Sequence, residues 1–400
     1  MADAHRHEVV IVGGGSAGIT TAARLRRAGM RDVAIIEPSD THYYQPLWTI
    51  AGGGLVDVAK SARPQASVMP KGVTWIRAAA AGVDPDAQQV TLSDGSTVGY
   101  DAVVVAPGIQ LNWGAVAGLE QSLGKNGVSS NYAYELAPKT WEFIRSTTSG
   151  TAVFGQPSGA IKCAGAPQKI AYLAADYWRR QGVLDKIDVH MVLPTPGMFG
   201  VPEFSRILEQ VVARYGITVH FNSEIVEVDP DARELIVRDN TADTKQRLPY
   251  DMAHLVPPQS APDWIKAGPL ADPANPAGYI EVDKHTLQHV RYPTVFALGD
   301  AGSTPNSKTG AAVRHQAPTV AENLRAVLAG RAPTKSYDGY ASCPLTTARD
   351  RMLLAEFDYT MKPAPSIPLL NTKREHRDFG LLKKVGLPTL YWNFMLKGLA

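Results

Sequence analysis

A glycine-rich turn near the beginning of the chain constrains the fold more than any other feature. The turn Gly13-x-Gly15-x-x-Gly18 follows a short apolar run and precedes a pattern typical of a helix. The next apolar run ends at Glu37, nineteen residues after Gly18. Strand, turn, helix and acid in this order predict a βαβ unit that binds a dinucleotide. The glycines let the backbone approach a pyrophosphate at the helix N-terminus, and the acid accepts a hydrogen bond from a ribose hydroxyl.

A second motif near the other end of the chain decides between NAD and FAD. The segment 294–300 has the pattern of a strand that ends in Gly-Asp, and a helix is predicted from about Gly310. In two-dinucleotide-fold flavoproteins an acid at this position holds the ribityl chain, and the positive helix N-terminus faces the flavin pyrimidine ring. Glu37 and Asp300 therefore account for both ends of an extended FAD, which we expect as the cofactor.

A second βαβ unit begins at Thr151, but its turn lacks the pattern of a nucleotide site. The turn contains Gly155-Gln-Pro-Ser-Gly159 instead of three correctly spaced glycines. The following strand ends at Leu193 with no acid for a ribose and no arginine for a 2′-phosphate. We therefore expect an electron donor other than NAD(P)H.

One of the two cysteines of the chain, Cys163, lies in that turn, before Pro167, which suits the first turn of a helix. A helix N-terminus and the adjacent Lys162 would both stabilise a thiolate, the reactive form of cysteine. Cys343 lies in an extended segment 180 residues further on. The sequence positions leave open whether the two thiols meet, and two buried, inert thiols are the alternative.

Composition excludes several classes of protein. The chain has 400 residues, of which 44% are apolar and 20% charged, as expected for a globular protein of two or three domains. The 40 basic and 38 acidic residues give no nucleic-acid signature, and the ten histidines show no metal-ligand spacing, so neither partner is expected. Two cysteines do not make a disulfide framework, and we recognise no signal peptide, transit peptide or transmembrane run.

Several motifs of the chain resemble those of the sulfide:quinone oxidoreductase family, and within it the two-cysteine branch that includes the mitochondrial enzymes. They span nearly the whole chain in order. The motifs are GGGSAG, HYYQPLW at 42–48, IKCAGAPQK around the first cysteine, VPPQSAPD at 256–263, LGDAGSTPNSKTGAA, SCPL around the second cysteine, AEFDY and LPTLYW.

The resemblance implies an FAD-dependent enzyme that oxidises hydrogen sulfide and reduces a membrane quinone. Cys163 and Cys343 would form a disulfide, or a trisulfide with an extra bridging sulfur, and hydrosulfide would open it to leave a persulfide. We expect Cys343 to carry the persulfide and Cys163 to face the flavin, with two electrons passing through FAD to the quinone. The sulfur would leave on an acceptor such as sulfite, a small thiol or further sulfide.

The same resemblance, with the glycine motif, predicts the residues that contact FAD. They are Gly13, Gly15, Ser16, Gly18, Glu37, Gln45, Ala80, Asp300, Lys308, Thr309 and Gly310, of which Gln45 and Ala80 rest on the resemblance alone. Two features of the family pattern are missing. The region 108–134 lacks the third cysteine of the bacterial branch, and no acid follows Cys163 closely, so the general base has no assigned residue.

The fold class predicted is α/β, with two Rossmann-like dinucleotide-binding-fold domains of the flavoprotein disulfide reductase type and a C-terminal membrane-interface segment. Residues 1–113 and 251–330 would form the FAD-binding domain, and 114–250 a second domain without a functional NAD motif. Residues 331–400 would form a region that associates with quinone and membrane. Each domain is expected to carry a β-meander, the second over 217–248.

The tail from Phe379 to Ala400 contains three lysines and no acidic residue. Four of its apolar residues fall on one helical face, namely Leu387, Leu390, Tyr391 and Phe394. A basic and aromatic helix of this kind is expected to lie in the membrane interface, and an ordinary docking helix is the alternative. Phe357, Tyr359 and Tyr391 are predicted to line a quinone pocket.

These features favour a peripheral membrane enzyme on the cytoplasmic face of a bacterial membrane. Three rival functions are an NADH:quinone oxidoreductase, a flavocytochrome-type sulfide dehydrogenase and a flavin-based persulfide sensor. The second βαβ unit disfavours the first, and the N-terminus shows no export signal for the second. The sequence leaves the oligomeric state open, a homo-oligomer included.

Overall fold

The computed structural model describes residues 5–367, 371–377, 380 and 382–400. The strands are β1 (Arg6–Val12), β2 (Val33–Ile36), β3 (Thr41–Tyr43), β4 (Ala62–Pro64), β5 (Thr74–Ile76), β6 (Ala80–Asp84), β7 (Gln89–Leu92), β8 (Thr97–Val105), β9 (Gln110–Leu111), β10 (Val128–Ser129), β11 (Gly150–Gly155), β12 (Ile187–Val192), β13 (Thr218–His220), β14 (Ser223–Asp229), β15 (Glu234–Asp239), β16 (Thr244–Pro249), β17 (Met252–Leu255), β18 (Gln259–Ser260), β19 (Val295–Ala297), β20 (Ala341–Ala348) and β21 (Arg351–Phe357). The α-helices are α1 (Ser16–Arg27), α2 (Trp48–Gly52), α3 (Leu119–Ser122), α4 (Leu136–Ser146), α5 (Ala166–Gln181), α6 (Pro202–Tyr215), α7 (Asp263–Lys266), α8 (Gly310–Leu328) and α9 (Leu387–Asn393).

The first sheet grows from β1, whose last four residues are fully or almost fully buried. Strands β2 and β8 pair in parallel with β1, and β5 and β19 extend the parallel part. The meander β6–β7–β8 adds antiparallel strands at the other edge, with its turns at Asp84-Pro85 and Asp94-Gly95. The first βαβ unit is thus confirmed, and β19 delivers the Gly-Asp motif to the carboxyl end of the same sheet.

A second, wholly parallel sheet has the strand order β10-β17-β11-β12-β13. Its unit β11–α5–β12 confirms the second βαβ prediction. Two details of the prediction are wrong. Strand β17, which lies beyond the 114–250 division, pairs with β11, and β13 joins this parallel sheet instead of the meander β14–β15–β16. Helix α6 has no counterpart in the prediction; its buried face, which includes Phe204 and Leu208, packs into the core of this domain.

The end of the chain returns to both domains. The hairpin β20–β21 packs against α5 in the core of the second domain. The residues after α9 pack against α1, and Tyr391, Trp392, Met395 and Leu396 are buried in the core of the first domain. The C-terminal region is therefore divided between the domains, with the hairpin in the second and the tail in the first.

Candidate active site

The glycine turn after β1 is closed on one side and open on the other. Gly13 has a φ of +102°, and a Cβ there would lie 2.4 Å from the carbonyl oxygen of Ala106. A Cβ at Gly18 would lie 1.8 Å from the carbonyl oxygen of Gly13, so helix and strand pack as closely as glycine allows. A Cβ at Gly15, by contrast, would meet no atom within 4 Å. Gly15 therefore marks the side of the turn that a ligand can approach.

The groups around this turn can hold an anionic nucleotide. Helix α1 begins at Ser16 with no side-chain N-cap, so its first-turn amides keep hydrogen-bonding capacity. The Glu37 carboxylate accepts the backbone N–H groups of Gly14 and Ser39, each at 2.7 Å. A carboxylate has about four acceptor positions, so Glu37 keeps capacity for a hydroxyl donor.

The Gly-Asp motif and the start of α8 form the second part of the candidate cofactor site. Lys308 Nζ donates to the carbonyl oxygens of Asp300 at 2.7 Å and Gly302 at 2.9 Å. Burial lowers the pKa of Lys308 to about 8 and raises the pKa of Asp300. Thr309 Oγ1 caps α8 by accepting the N–H of Ala312 at 3.1 Å. These groups together fit the two ends of FAD. They are the open backbone at the first turn, the acid after β2 and the capped N-terminus of α8.

Two other predicted FAD contacts lie apart from these clusters. Gln45 Oε1 accepts a hydrogen bond from Lys162 Nζ at 2.7 Å, which links it to the cysteine turn. Ala80 begins β6 and pairs with Leu92. The FAD contacts of the whole predicted set stay predictions.

Cys163 is fixed directly against the FAD-binding motif. Its backbone N–H donates to the carbonyl oxygen of Lys308 at 2.8 Å. Tyr132 Oη donates to the carbonyl oxygens of Lys162 at 3.0 Å and Cys163 at 3.3 Å. Cys163 has a φ of +52°, in the left-handed region that few non-glycine residues adopt, and such strain is held where the surroundings determine it. The turn therefore places the Cys163 thiol near Asp300 and Lys308.

The second thiol reaches the same place from β20. Ala166 N–H donates to Cys163 O at 2.7 Å, which begins α5 three residues after the cysteine. A Cβ at Gly165 would lie 2.4 Å from Leu345 Cδ2, so β20 packs closely on the N-terminus of α5. Cys343, on the same strand, is fully buried, and its thiol hydrogen-bonds that of Cys163. Both cysteines are free thiols, and the structure brings together the two residues that the sequence left apart.

The two thiols differ in acidity. The hydrogen bond from Cys343 and the positive charges of Lys169 and Lys383 hold the pKa of Cys163 well below its usual value. Lys169 Nζ lies 3.0 Å from Cys163 Sγ. The hydrogen bond to Cys163 and burial raise the pKa of Cys343 well above its usual value. Cys163 is therefore the more acidic thiol of the pair and Cys343 the less acidic one.

Lysines outnumber acids around this pair. Lys169, Lys308 and Lys383 are buried, and burial lowers the pKa of Lys162 to about 8 and of Lys383 to about 7. Among the described residues, Asp300 is the carboxylate that interacts with Lys162 and Lys308. The whole chain carries a formal charge of only +2, so the positive potential is a local property of the site. Such a site attracts small anions.

The expected role of Lys162 is corrected by this geometry. The sequence places Lys162 next to Cys163. Its ammonium group nevertheless points to Gln45, because the side chains of adjacent residues in a turn point in different directions. Lys169, in the first turn of α5, reaches the thiol instead. Lys169 lies in the motif IKCAGAPQK, two residues after Pro167, so its position in the first turn of the predicted helix was a usable signal. Lys383 has no such signal, since it comes from a distant part of the chain.

The turn after β11 has only a small cavity beside it. A cavity of only about 10 Å³ remains beside Gly155–Pro157, between Val116, Leu119, Ile225, Leu255 and Val256. That is room for about one water molecule. The Glu224 carboxylate accepts the backbone N–H of Ser158 at 3.2 Å, so an acid of the protein itself lies against the turn.

The three residues predicted to line a quinone pocket do not lie together. Phe357 is buried in the core of the second domain, with its ring 5.6 Å from that of Phe199. Tyr359 packs 5.6 Å from the ring of Tyr337 in the first domain. Tyr391 alone reaches the cofactor side, and a quinone role for the three stays a prediction.

Tyr391 joins the tail to the glycine turn. Its hydroxyl lies 2.7 Å from Ser16 Oγ and 2.6 Å from His42 Nε2. Its ring lies 4.4 Å from that of Tyr44. His42 also contacts Gly14 O at 3.1 Å and was not among the predicted site residues, although it begins the motif HYYQPLW.

The helical face predicted for the tail is only partly correct. Helix α9 ends at Asn393, so Phe394 lies beyond it, and Tyr391 is buried in the fold while Phe394 is exposed. The tail thus contains a docking element, as in the alternative prediction. Phe379 and Leu381, the first part of the predicted tail, lie outside the described residues. Within the described residues there is no cluster of three or more metal-ligating side chains and no helix long and apolar enough to span a membrane.

Comparison with known proteins agrees with this site. Residues 7–317 match the family model described as pyridine nucleotide-disulphide oxidoreductase. The chain is 41% identical over 394 residues to the mitochondrial sulfide:quinone oxidoreductase of Dictyostelium discoideum, covering 98% of this chain and 86% of that protein. It is 39% identical over 397 residues to the Mus musculus protein of the same name, covering 98% and 87%. The crystal structure of the sulfide:quinone oxidoreductase of Aquifex aeolicus shares the fold, with a TM-score of 0.83, 21% identity and coverage of 99% and 93%.

The two cysteines, the two FAD-type motifs at the carboxyl end of the first sheet and this level of identity over nearly the full chain lead to one conclusion. The chain belongs to the sulfide:quinone oxidoreductase family.

Proposed function

We propose that this protein oxidises hydrogen sulfide and transfers two electrons through FAD to a membrane quinone. The observation that carries the proposal is the thiol pair of Cys163 and Cys343. The pair is hydrogen-bonded, flanked by Lys169 and Lys383, and joined through its backbone to Lys308 of the FAD-type motif.

FAD would be held along the carboxyl end of the first sheet, where the two motifs lie. Its pyrophosphate suits the free amides of α1 beside Gly15, and its adenosine ribose suits Glu37. Asp300 and the N-terminus of α8 suit the other end. When bound, FAD supplies a two-electron acceptor beside Cys163. The chain itself would keep the two thiols, the buried lysines and Asp300 in fixed positions around that acceptor.

The sulfide step uses the oxidised form of the cysteine pair. Hydrosulfide attacks Cys343 Sγ, a new S–S bond forms there, and the bond to Cys163 breaks, so that Cys163 leaves as a thiolate. The low pKa of Cys163 makes it the better leaving group, which supports Cys343 as the persulfide carrier. Transfer of the outer sulfur to an acceptor frees Cys343, and loss of two electrons from the thiol pair restores the S–S bond.

The overall reaction is balanced with one acceptor thiol. Hydrogen sulfide, a thiol and a quinone give a thiol persulfide and a quinol. Sulfite or a second sulfide could replace the thiol with the same electron count. The site does not distinguish these acceptors, but its surplus of lysines suits an anionic acceptor as well as hydrosulfide.

The lysines give the chain a means of binding its anionic substrate. Lys169 and Lys383 lie close enough to the thiols to act on their pKa, so hydrosulfide at the same position would experience the same field. Lys383 is the candidate for the unassigned acid–base group, because its pKa of about 7 lets it hold or release a proton near neutral pH.

Delivery of electrons to quinone calls for contact with a membrane surface. The tail provides exposed apolar side chains, Val385, Phe394 and Leu399, beside basic residues. These support a peripheral association through the C-terminal segment. The curated relatives are mitochondrial by name, so the bacterial cytoplasmic face remains a prediction, as does a homo-oligomer.

Steady-state turnover with sulfide and a water-soluble quinone tests the proposal. The wild-type protein should reduce the quinone only when sulfide is present. Cys163→Ser and Cys343→Ser should each lose at least about a thousandfold in turnover while keeping bound FAD, because either substitution removes the S–S bond. Turnover with NADH in place of sulfide, or retained activity in either variant, would contradict the proposal.

A further inference from the structure

A cleft on the outer side of the first domain is lined by arginines that the proposed reaction does not use. It lies where the C-terminal ends of α1 and α8 meet and has a volume of about 540 Å³. Arg24, Arg27, Arg325 and Arg331 line it, and Glu322 is its one acidic residue. A cleft of this size can accept a small ligand or a headgroup.

The arginines of this cleft lack acidic side-chain partners among the described residues, and Arg24 Nη2 donates to the oxygen of Ala400. None of the four is in an ion pair with a residue that the structure describes, and Glu322 is 3.9 Å from Lys335 Nζ outside the group. Arg24 Nε is buried without a hydrogen-bond partner in the same described part of the chain. Burial and the nearby charge of Arg27 lower the pKa of Arg24, as expected for a cation that faces another cation.

Exposed apolar side chains stand next to this cleft. Gly398 lines it and packs so closely on α1 that a Cβ there would lie 3.0 Å from Arg24 N. Leu399 N–H donates to Phe394 O at 2.9 Å, which places these two residues side by side on the same turn. Phe394 is 46% exposed and Leu399 50% exposed. An arginine-lined cleft beside two exposed apolar groups matches the boundary between lipid headgroups and acyl chains.

We propose that this cleft binds the phosphate headgroup of an anionic membrane lipid while Phe394 and Leu399 enter the acyl region. Guanidinium groups bind phosphate in a bidentate manner, and four of them converge on one cleft. The tail that carries the apolar pair also carries Tyr391, which contacts the glycine turn at the opposite end of α1, so the tail links the lipid contact to the cofactor site along that helix. This inference rests on the membrane association proposed above.

Vesicle co-sedimentation of the FAD-loaded protein tests the site. The vesicles are pure phosphatidylcholine, or phosphatidylcholine mixed with phosphatidylglycerol. The variant Arg325→Gln with Arg331→Gln should bind the phosphatidylglycerol vesicles about thirtyfold more weakly than wild type, because each basic residue near an anionic surface contributes about fivefold. The control is Arg206→Gln with Lys245→Gln, which removes the same charge from exposed positions of the second domain. It should change binding less than threefold.

A second variant separates the two halves of the contact. Phe394→Ser with Leu399→Ser should weaken binding to both kinds of vesicle by a similar factor. Circular dichroism and flavin content check that each variant folds. Equal loss in the arginine variant and its charge-matched control would overturn the proposal. Millimolar inorganic phosphate at constant ionic strength should weaken wild-type binding to phosphatidylglycerol vesicles more than that of the arginine variant, because both ligands compete for the same guanidinium groups. An equal effect on the two proteins would also overturn the proposal. Turnover of wild type with a water-soluble quinone, measured without vesicles, tests the reaction separately.

Discussion

Lys169 Nζ lies 3.0 Å from Cys163 Sγ, although six residues separate them in the sequence. The contact arises because α5 begins at Ala166 and its first turn brings Lys169 back over the cysteine, with Lys169 N–H donating to Gly165 O at 3.0 Å. The adjacent Lys162 is directed to Gln45 instead. Thiolate stabilisation at this site therefore depends on the start of a helix and not on the neighbouring residue.

The first prediction concerns this contact. Lys169→Met should raise the pKa of the Cys163 thiol by about one to three units, since that is the usual effect of one opposite charge at such a distance. Alkylation of the reduced protein by iodoacetamide is measured as a function of pH, and mass spectrometry identifies the modified peptide. The midpoint of this pH dependence is the pKa of the Cys163 thiol. Lys162→Met is the matched control and should shift this pKa by much less. Equal shifts in the two variants would mean that Lys169 has no special role.

The second prediction follows from the pKa of Lys383, which burial lowers to about 7. The ammonium group is present below that pH and lost above it, so its attraction for hydrosulfide fades as pH rises. The rate constant for flavin reduction, expressed per hydrosulfide ion, should fall on the order of tenfold through pH 7. In Lys383→Met this pH dependence should disappear, and the rate constant should stay near the value that the wild type has at high pH. Lys384→Met serves as the neighbouring control, and the same inflection in Lys383→Met would contradict the assignment.

The third prediction compares two glycines of one turn. Gly15→Ala should leave the free energy of unfolding within about 0.5 kcal/mol but lower the flavin content of the purified protein, because the new Cβ points into open space where the pyrophosphate is expected. Gly18→Ala should cost about 1–3 kcal/mol or more, because its Cβ would lie 1.8 Å from Gly13 O. Urea unfolding and the ratio of flavin to protein absorbance measure both. Normal flavin content in Gly15→Ala would argue against this binding position.

The fourth prediction concerns the attachment of the tail. Tyr391→Phe removes a hydroxyl that bridges Ser16 and His42, and leaves the buried His42 ring without that partner. We expect a loss of about 1–3 kcal/mol in the free energy of unfolding. Tyr292→Phe, at a half-buried position of the same domain, should change the free energy of unfolding by less than about 0.5 kcal/mol. A similar small change in both variants would show that the tail is not held through this hydroxyl.

Local patterns sufficed for the parts of the fold that are continuous in sequence. The turn at Gly13–Gly18 with Glu37, and the Gly-Asp motif with α8, were predictable because strand periodicity, glycine spacing and helix starts are encoded within about thirty residues. The assignment of β17 to the second sheet was not, since strand partners in a parallel sheet are set by distant chain segments.

The candidate site shows the same division between local and long-range information. The position of Cys163 before a helix N-terminus was predictable, but its contact with Cys343 needed β20 to pack on α5 across 180 residues. Lys383 contributes its charge from the end of the chain, and no periodicity predicts that approach. The three residues predicted to line a quinone pocket are all aromatic but lie in different places. Aromatic character alone could not locate them, because such side chains are equally suited to a domain core.

Anaerobic rapid mixing tests the central claim most directly. Sulfide added to the FAD-loaded protein should bleach the flavin absorbance within the time of one turnover, and a water-soluble quinone added next should restore it, over repeated cycles. NADH added in place of sulfide should leave the absorbance unchanged, since the turn after β11 lacks the glycine pattern of a nucleotide site. Bleaching by NADH and not by sulfide would contradict the account.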